Sequence, residues 1–341
     1  MNRKDFLTAV VPLATVATDF TYPRQDRHDD RRINCKIPPY LKQGDLIGIS
    51  CPSGHIMLDE IQPALYKMLE WGFPVRIGNT VGDKDFTFAG TDEARRKDLQ
   101  LMLDDPQIKA IMLGRGGYGA VRIIDQLDFT KFRKKPKWII GFSDATVLHC
   151  HINRHFGIAT IHSKMTNSFP DDFSLADKTQ IDSIESIRQC LVGEKMRYNA
   201  PLNMNNRRGK ASGALIGGNL SIIQNLCGSN SDIHTDGKIL FIEDVGEYLY
   251  KIDGMLWNLK RSGKLNKLKG LIVGGFRVKA DDPGEEFGRT VYELVLEKIK
   301  EFTYPVCFDF PVGHIRENYA LKCGVKHELN VMEAGSILTE Q

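Results

Sequence analysis

Residues 108–119 read Ile108-Lys-Ala-Ile-Met-Leu-Gly-Arg-Gly-Gly-Tyr-Gly119, and this stretch decides the fold class. The apolar run that ends at Leu113 has the length and composition of a buried strand, and the glycines after it mark a turn. Residues 120–127 then have the apolar spacing of a helix. A strand that leads through a short turn into a helix is the unit from which parallel sheets are built.

The same alternation of strand and helix extends in both directions. Thr91, followed by two acidic residues, has the pattern of a helix N-cap. The sequence therefore predicts an α/β fold with a mostly parallel sheet and helices on both faces. The predicted strands lie at residues 45–50, 74–78, 108–113, 138–141, 238–242, 270–274 and 306–310.

Composition shifts along the chain predict how it is divided. We expect an N-terminal α/β domain at residues 39–166 and a smaller C-terminal α/β domain at residues 212–341. Residues 167–211 are polar and irregular apart from one helix, and are interpreted as the connection between the domains. Residues 213–226 are interpreted as a helix, and the runs at 319–322 and 327–331 as a final hairpin.

The charge and cysteine patterns exclude several classes of function. The 341 residues carry a net charge of only +3, and the basic residues are scattered, so no nucleic-acid partner is expected. The seven cysteines form no C-x-x-C pair, which argues against a zinc site or a redox motif. Their spacing leaves one disulfide open.

Residues 1–38 are interpreted as an export signal followed by a polar linker. A basic start precedes an apolar run of about 11 residues and a small-residue end, with cleavage expected after Ala17. The run is too short to span a bilayer, so no membrane span is expected. We expect a protein of the periplasm or cell envelope. The alternative is a simple N-terminal extension on a cytoplasmic protein.

Two turns carry possible chemistry. Glycines in the stretch 114–119 let backbone N–H groups point at an anion or an oxyanion, although a tight turn without a ligand explains them equally well. Gly141-Phe-Ser143-Asp-Ala145 is close to the G-x-S-x-G nucleophile elbow. In that arrangement the N–H of Asp144 would be one oxyanion donor. A serine that caps the next helix is the alternative interpretation of Ser143.

A nucleophilic serine needs a base, and the residues alone do not select one. Nine histidines are present. His149, His151 and His155 share the helix after Ser143, whereas His314 follows a predicted strand end. Glu243-Asp244 follow another predicted strand and could orient a histidine.

Five motifs occur in order along the chain: Arg115-Gly-Gly-Tyr-Gly119, Gly141-Phe-Ser-Asp144, Gly217-Gly-Asn219, Ile242-Glu-Asp-Val-Gly-Glu247 and Pro311-Val-Gly-His314. Together they resemble the LD-carboxypeptidases of peptidase family S66, which also includes the microcin C7 self-immunity proteins. The resemblance covers about residues 40–335. Two other segments depart from the family pattern: His162-Ser-Lys-Met165 stands where His-Gly-Pro-Met is common, and Ile252-Asp-Gly254 where Ile-Asp-Arg is common.

The resemblance implies a Ser–His–Glu triad made of Ser143, His314 and Glu243. It also implies oxyanion donors at Asp144 and within Gly116-Gly117. The implied substrate is a muropeptide, a murein tetrapeptide that loses its terminal D-alanine through an acyl-enzyme. No metal or organic cofactor is implied, and a homodimer is suggested by resemblance only. The alternatives are a serine peptidase or amidase on another peptide conjugate, and a wall-peptide-binding protein that has lost catalysis.

Overall fold

The computed structural model describes residues 35–341. The predicted export signal and its cleavage site at Ala17 lie outside these residues. Within the described part of the chain, none of the helices has the length and apolar character needed to cross a membrane.

Strands and helices alternate through most of the described chain. The strands are β1 (Leu46–Ser50), β2 (Val75–Ile77), β3 (Ile108–Leu113), β4 (Trp138–Gly141), β5 (Thr160–His162), β6 (Arg197–Ala200), β7 (Gly209–Asn219), β8 (Ile239–Val245), β9 (Gly270–Arg277), β10 (Val306–Cys307), β11 (Leu321–Cys323), β12 (Lys326–Met332) and β13 (Gly335–Glu340). The α-helices are α1 (Gln62–Glu70), α2 (Asp92–Asp104), α3 (Ala120–Ile123), α4 (Thr130–Lys134), α5 (Thr146–Phe156), α6 (Lys178–Val192), α7 (Leu220–Leu226), α8 (Leu249–Arg261) and α9 (Val291–Lys298).

The first sheet, here called the N-terminal sheet, has the strand order β11-β5-β4-β3-β1-β2. β1 to β5 run parallel, and β11 pairs with β5 in the antiparallel direction. β3 lies inside the sheet with helices on its faces, so its side chains are buried on both sides, and its sequence is apolar except for the partly buried Lys109. Thr91 caps α2 as expected, since its hydroxyl accepts a hydrogen bond from the N–H of Ala94.

The second sheet, here called the C-terminal sheet, has the order β10-β9-β8-β7-β12-β13-β6. The strands β7 to β10 are parallel, and β12, β13 and β6 extend the sheet in the antiparallel direction. The predicted α/β class with a mostly parallel N-terminal sheet is confirmed. The range 167–211, expected to be a connection, contains α6, β6 and the start of β7.

Two local predictions are wrong. Residues 213–219 form the second half of a strand and not the start of a helix, which begins only at Leu220. Small residues there allow a close approach: Gly217 has φ +146° and packs against the backbone of Phe241 in the neighbouring strand. Residues 319–331 form no hairpin, because β11 joins the N-terminal sheet while β12 joins the C-terminal one.

The ends of the parallel strands position the candidate site. The carboxyl ends of β3, β4 and β5 carry the glycine loop (residues 114–119), Ser143 and Lys164 in neighbouring positions. Gly218 meets the start of α5 from the C-terminal sheet: a Cβ there would lie 2.5 Å from the hydroxyl oxygen of Thr146. The loops at the ends of the two sheets therefore meet near Ser143.

Candidate active site

Ser143 lies in the tight turn between β4 and α5. Its φ of +60° is left-handed, a conformation that non-glycine residues rarely adopt and that is often retained at functional sites. The turn needs small neighbours, because a Cβ on Gly141 would lie 3.0 Å from the Cβ of Ala145. Ala145, and not Ser143, occupies the N-cap of α5, so capping does not explain the serine.

The glycine loop faces this serine directly. A Cβ on Gly116 would lie 3.0 Å from both the Cβ and the Oγ of Ser143. Gly117 has φ +104°, and the carbonyl of Gly116 accepts a hydrogen bond of 3.0 Å from the N–H of Gly54. The backbone of Gly116 therefore lies directly against Ser143, with no side chain between them.

The side chain of Asp144 ties the turn to this loop. The carboxylate accepts hydrogen bonds from the hydroxyl of Ser53, at 2.5 Å, and from the N–H of Ala120, at 2.8 Å. Burial raises the pKa of Asp144, while these bonds and the nearby Arg95 act in the opposite direction. The carboxyl group thus holds the serine turn against Ser53 and the start of α3, and only the backbone of Asp144 is available to a substrate.

Glu243, buried near the end of β8, forms a pair with the partly buried His314. The Nδ1 of His314 lies 2.6 Å from Oε2 of Glu243, which also accepts a hydrogen bond of 3.2 Å from the N–H of His314. The close approach requires Gly313, whose φ is +108° and where a Cβ would lie 2.5 Å from that of Glu243. The N–H of Gly313 donates in turn to the side chain of Asn318, at 2.9 Å.

The pair lies beside the serine turn. The imidazole ring of His314 packs on the phenyl ring of Phe142, with centroids 4.7 Å apart, and Phe142 directly precedes Ser143. Since Nδ1 is bonded to the carboxylate, Nε2 is the ring nitrogen left for a proton transfer. The site thus contains a serine hydroxyl, an oriented imidazole and backbone N–H groups, which are the groups that serine enzymes use for acyl transfer.

Asp244, the acid that follows Glu243 in the sequence, has a different role. Its carboxylate accepts hydrogen bonds from the N–H of Ser221, at 2.8 Å, and from the side chain of Asn219, at 3.2 Å. Burial raises its pKa to about 6. Asp244 therefore supports the start of α7, and only Glu243 is directed at a histidine.

The histidines of α5 make structural hydrogen bonds. Nε2 of His149 bonds the carbonyl of Gly141 at 2.8 Å, and burial lowers the pKa of His149 to about 4. His151 bonds the hydroxyl of Ser231, and His155 the carbonyl of Asn230. His149 therefore supports the serine turn, and His151 and His155 hold the loop that contains Asn230 and Ser231.

Several residues at the site had not been singled out from sequence. Ser53 follows β1 in a Pro-Ser-Gly turn, and the end of a parallel strand was the available signal. Thr146 binds the N–H of Asn219 at 3.1 Å and so links the two sheets. All seven cysteines are free thiols, and the described residues hold no group of three His, Cys, Asp or Glu side chains suited to a metal ion.

Two family models match the chain in the order of its sheets. The model of the LD-carboxypeptidase N-terminal domain matches residues 47–163, and that of the C-terminal domain matches residues 212–329. The chain belongs to the LD-carboxypeptidase family, peptidase family S66. As a member of this family it is a hydrolase of peptide bonds.

Three individual proteins illustrate the range of this LD-carboxypeptidase family. A probable murein peptide carboxypeptidase of Bacillus subtilis is 32% identical over 303 residues, which are 88% of this chain and 93% of that protein. The Microcin C7 self-immunity protein MccF of Escherichia coli is 28% identical over 88% of this chain and 95% of its own length. The crystal structure of a muramoyltetrapeptide carboxypeptidase from Oxalobacter formigenes aligns with a TM-score of 0.76 at 26% identity, covering 86% of this chain and 98% of that one.

Proposed function

We propose that this LD-carboxypeptidase family member removes the terminal D-alanine from murein tetrapeptides with Ser143, His314 and Glu243 as its triad. One observation carries the proposal: Ser143 sits at φ +60° against Gly116, while the His314–Glu243 pair packs on the adjacent Phe142. A serine held in that conformation, with an oriented imidazole beside it, is suited to nucleophilic attack on a carbonyl.

The mechanism follows from these positions. Nε2 of His314 takes the proton of Ser143 as Oγ attacks the carbonyl carbon of the scissile bond. The oxyanion is bound by the N–H of Asp144 and by an N–H of the Gly116-Gly117 backbone. His314 then protonates the leaving amine, and a water molecule, activated by the same imidazole, releases the acyl group.

Glu243 acts through the imidazole. Because its Oε2 lies 2.6 Å from Nδ1, the carboxylate fixes the tautomer that leaves Nε2 free to accept a proton. It also stabilises the positive charge that His314 carries after the attack. The second contact, from the N–H of His314 to the same oxygen, holds the loop in register with the acid.

The substrate proposal is supported by relatives. The Bacillus subtilis protein is named a probable murein peptide carboxypeptidase, and the Oxalobacter formigenes structure is of a muramoyltetrapeptide carboxypeptidase. The basic and apolar pattern of residues 1–17 supports an exported enzyme, which would meet cell-wall peptides directly.

The test is release of D-alanine from a purified murein tetrapeptide, measured by mass spectrometry. The wild-type protein is expected to release one D-alanine per peptide, and Ser143→Ala to lose about 10⁴-fold or more in kcat. Turnover by Ser143→Ala at the wild-type rate would place the nucleophile elsewhere and overturn the triad.

A second candidate function is cleavage of a peptidyl-nucleotide conjugate. It is favoured by the 28% identity to the Microcin C7 self-immunity protein, which covers 95% of that protein. Incubation of the enzyme with the tetrapeptide and with a peptidyl-adenylate in parallel separates the two. A higher kcat/KM for the nucleotide conjugate would make this the function of the same triad.

A further inference from the structure

Lys164 occupies the end of β5, next to the serine turn. β4 and β5 are parallel neighbours with Gly141 beside His162, so Ser143 and Lys164 each lie two residues beyond a strand end at the same edge. The N–H of Ser163 donates to the carbonyl of Gly141 at 3.1 Å, which fixes this register. The sequence places this lysine where the family pattern commonly has a proline.

The ammonium group reaches the loop of the proposed base. Its Nζ donates a hydrogen bond of 3.4 Å to the carbonyl of Ile315, the residue directly after His314. The side chain is half-buried, and within residues 35–341 it forms no ion pair with a carboxylate. Burial lowers the pKa of Lys164, with Glu317 acting in the opposite direction. The ammonium group therefore keeps donor hydrogens free in a partly desolvated position.

This position is on the leaving-group side of the reaction. His314 must protonate the leaving nitrogen, so the residue that departs lies next to its imidazole ring. In a carboxypeptidase that residue carries a free carboxylate, separated from the leaving nitrogen by one carbon atom. A cation bonded to Ile315 is thus placed near this carboxylate when the peptide is bound.

We propose that Lys164 binds the free α-carboxylate of the C-terminal residue and so restricts the enzyme to chain ends. The inference rests on the proposed function and adds a group of this chain that favours peptides with a free C-terminus. Arg115, in the glycine loop, is exposed and donates to the carbonyl of His55 at 3.3 Å. Arg316, the residue after Ile315, is exposed and pairs with Asp177. A carboxylate is held more strongly by a partly desolvated cation than by one in water.

The experiment compares a murein tetrapeptide ending in D-alanine with the same peptide ending in D-alaninamide. The wild-type enzyme is expected to prefer the acid in kcat/KM by about 10- to 100-fold, the value of one charged hydrogen bond. Lys164→Met should lower kcat/KM for the acid by that factor and leave kcat/KM for the amide unchanged. Lys164→Arg should keep part of the preference. Equal losses on both peptides, or an unchanged ratio, would overturn the proposal.

Lys137→Met serves as the matched control. Lys137 is buried and, like Lys164, donates to backbone carbonyls, those of Met102 at 2.8 Å and Asp105 at 2.5 Å, at the opposite end of β4. Both variants lose a lysine that is hydrogen-bonded to backbone carbonyls, so a fall in melting temperature is expected for each. Only the acid-to-amide ratio separates recognition of the substrate from support of the fold.

A binding measurement makes the result independent of turnover. In the Ser143→Ala background, calorimetry gives the Kd of both peptides with Lys164 present and with Lys164→Gln. Weaker binding of the acid alone, by about 10- to 100-fold, supports the proposal. If the wild-type enzyme releases no D-alanine, the proposed function fails. The acid-to-amide ratio of Kd then still decides the role of Lys164, and a ratio near 1 or no binding of either peptide overturns it.

Discussion

Gly116→Ala adds one methyl group at the contact between the glycine loop and the serine turn. The new Cβ would lie 3.0 Å from both the Cβ and the Oγ of Ser143, and 3.3 Å from the Cε of Met165. Ordinary contacts of this kind begin at 3.4 Å, so the serine or the loop must move by a few tenths of an ångström or more. The end of the methionine side chain is flexible and can move aside.

The substitution is expected to lower the rate of the reaction more than the stability of the fold. A displacement of ~1 Å between reacting groups costs about 100-fold in rate, so Gly116→Ala should lower kcat by about 10- to 100-fold, or ~1.4–2.7 kcal/mol in the barrier. Gly116 does not have a positive φ, so the backbone accepts alanine without strain. The free energy of unfolding should therefore change by no more than about 1 kcal/mol.

The assay measures kcat and KM for D-alanine release together with the melting temperature. Gly254→Ala is the matched control, since a Cβ there meets nothing within 4 Å and Gly254 lies inside α8. It should leave kcat unchanged and stabilise the protein by about 0.5–1 kcal/mol. A wild-type kcat for Gly116→Ala would refute the reasoning, because the methyl group would then not face the reacting serine.

Two further predictions concern Glu243 and His149. Glu243→Gln removes the charge that stabilises protonated His314, so kcat for D-alanine release should fall by about 10³- to 10⁴-fold, and a loss under tenfold would contradict the role of the acid. For His149, the pKa of about 4 in the folded state is below the ordinary value of 6.5, so folding favours the neutral ring. The stabilisation that comes from keeping this ring neutral is fully present above pH 6.5 and is lost as the pH falls through about 4. The loss amounts to about 3 kcal/mol in the free energy of unfolding. His149→Gln, which can still donate to the carbonyl of Gly141, should reduce this acid-induced loss in urea unfolding measured at pH 7 and pH 4. An equal loss in both proteins would assign it to other groups.

The elements that the sequence predicted best are those whose burial is uniform. β3 was predicted with its observed ends, because a strand buried on both faces is apolar at nearly every position, and only Lys109 interrupts the apolar run here. The end of β7 was misread because glycine and alanine carry little periodic signal, and only contact with Phe241 and Thr146 explains them. Three-residue strands such as β11 are too short for any periodicity.

The residues of the candidate site also differ in how far the local sequence predicts them. Ser143 stands out locally, since the small residues around it and the strand before it indicate a tight turn. The pairing of Glu243 with His314 spans 71 residues and needs Gly313 at a positive φ, which no local pattern encodes. The family resemblance supplied that pairing. The anchoring role of Asp144 depends on Ser53, 91 residues away, and was accessible only from the structure.

The antiparallel pairing of β11 with β5 has a consequence for biosynthesis. Leu321 pairs with His162, so the edge strand of the N-terminal sheet is synthesised long after β5. Until then β5, which leads into Lys164, is an open edge on a growing chain, and an unpaired edge is a template for aggregation. Contacts this distant in sequence form slowly. Translation of the N-terminal half alone therefore yields no finished sheet, and this sheet is completed only after β11 has left the ribosome.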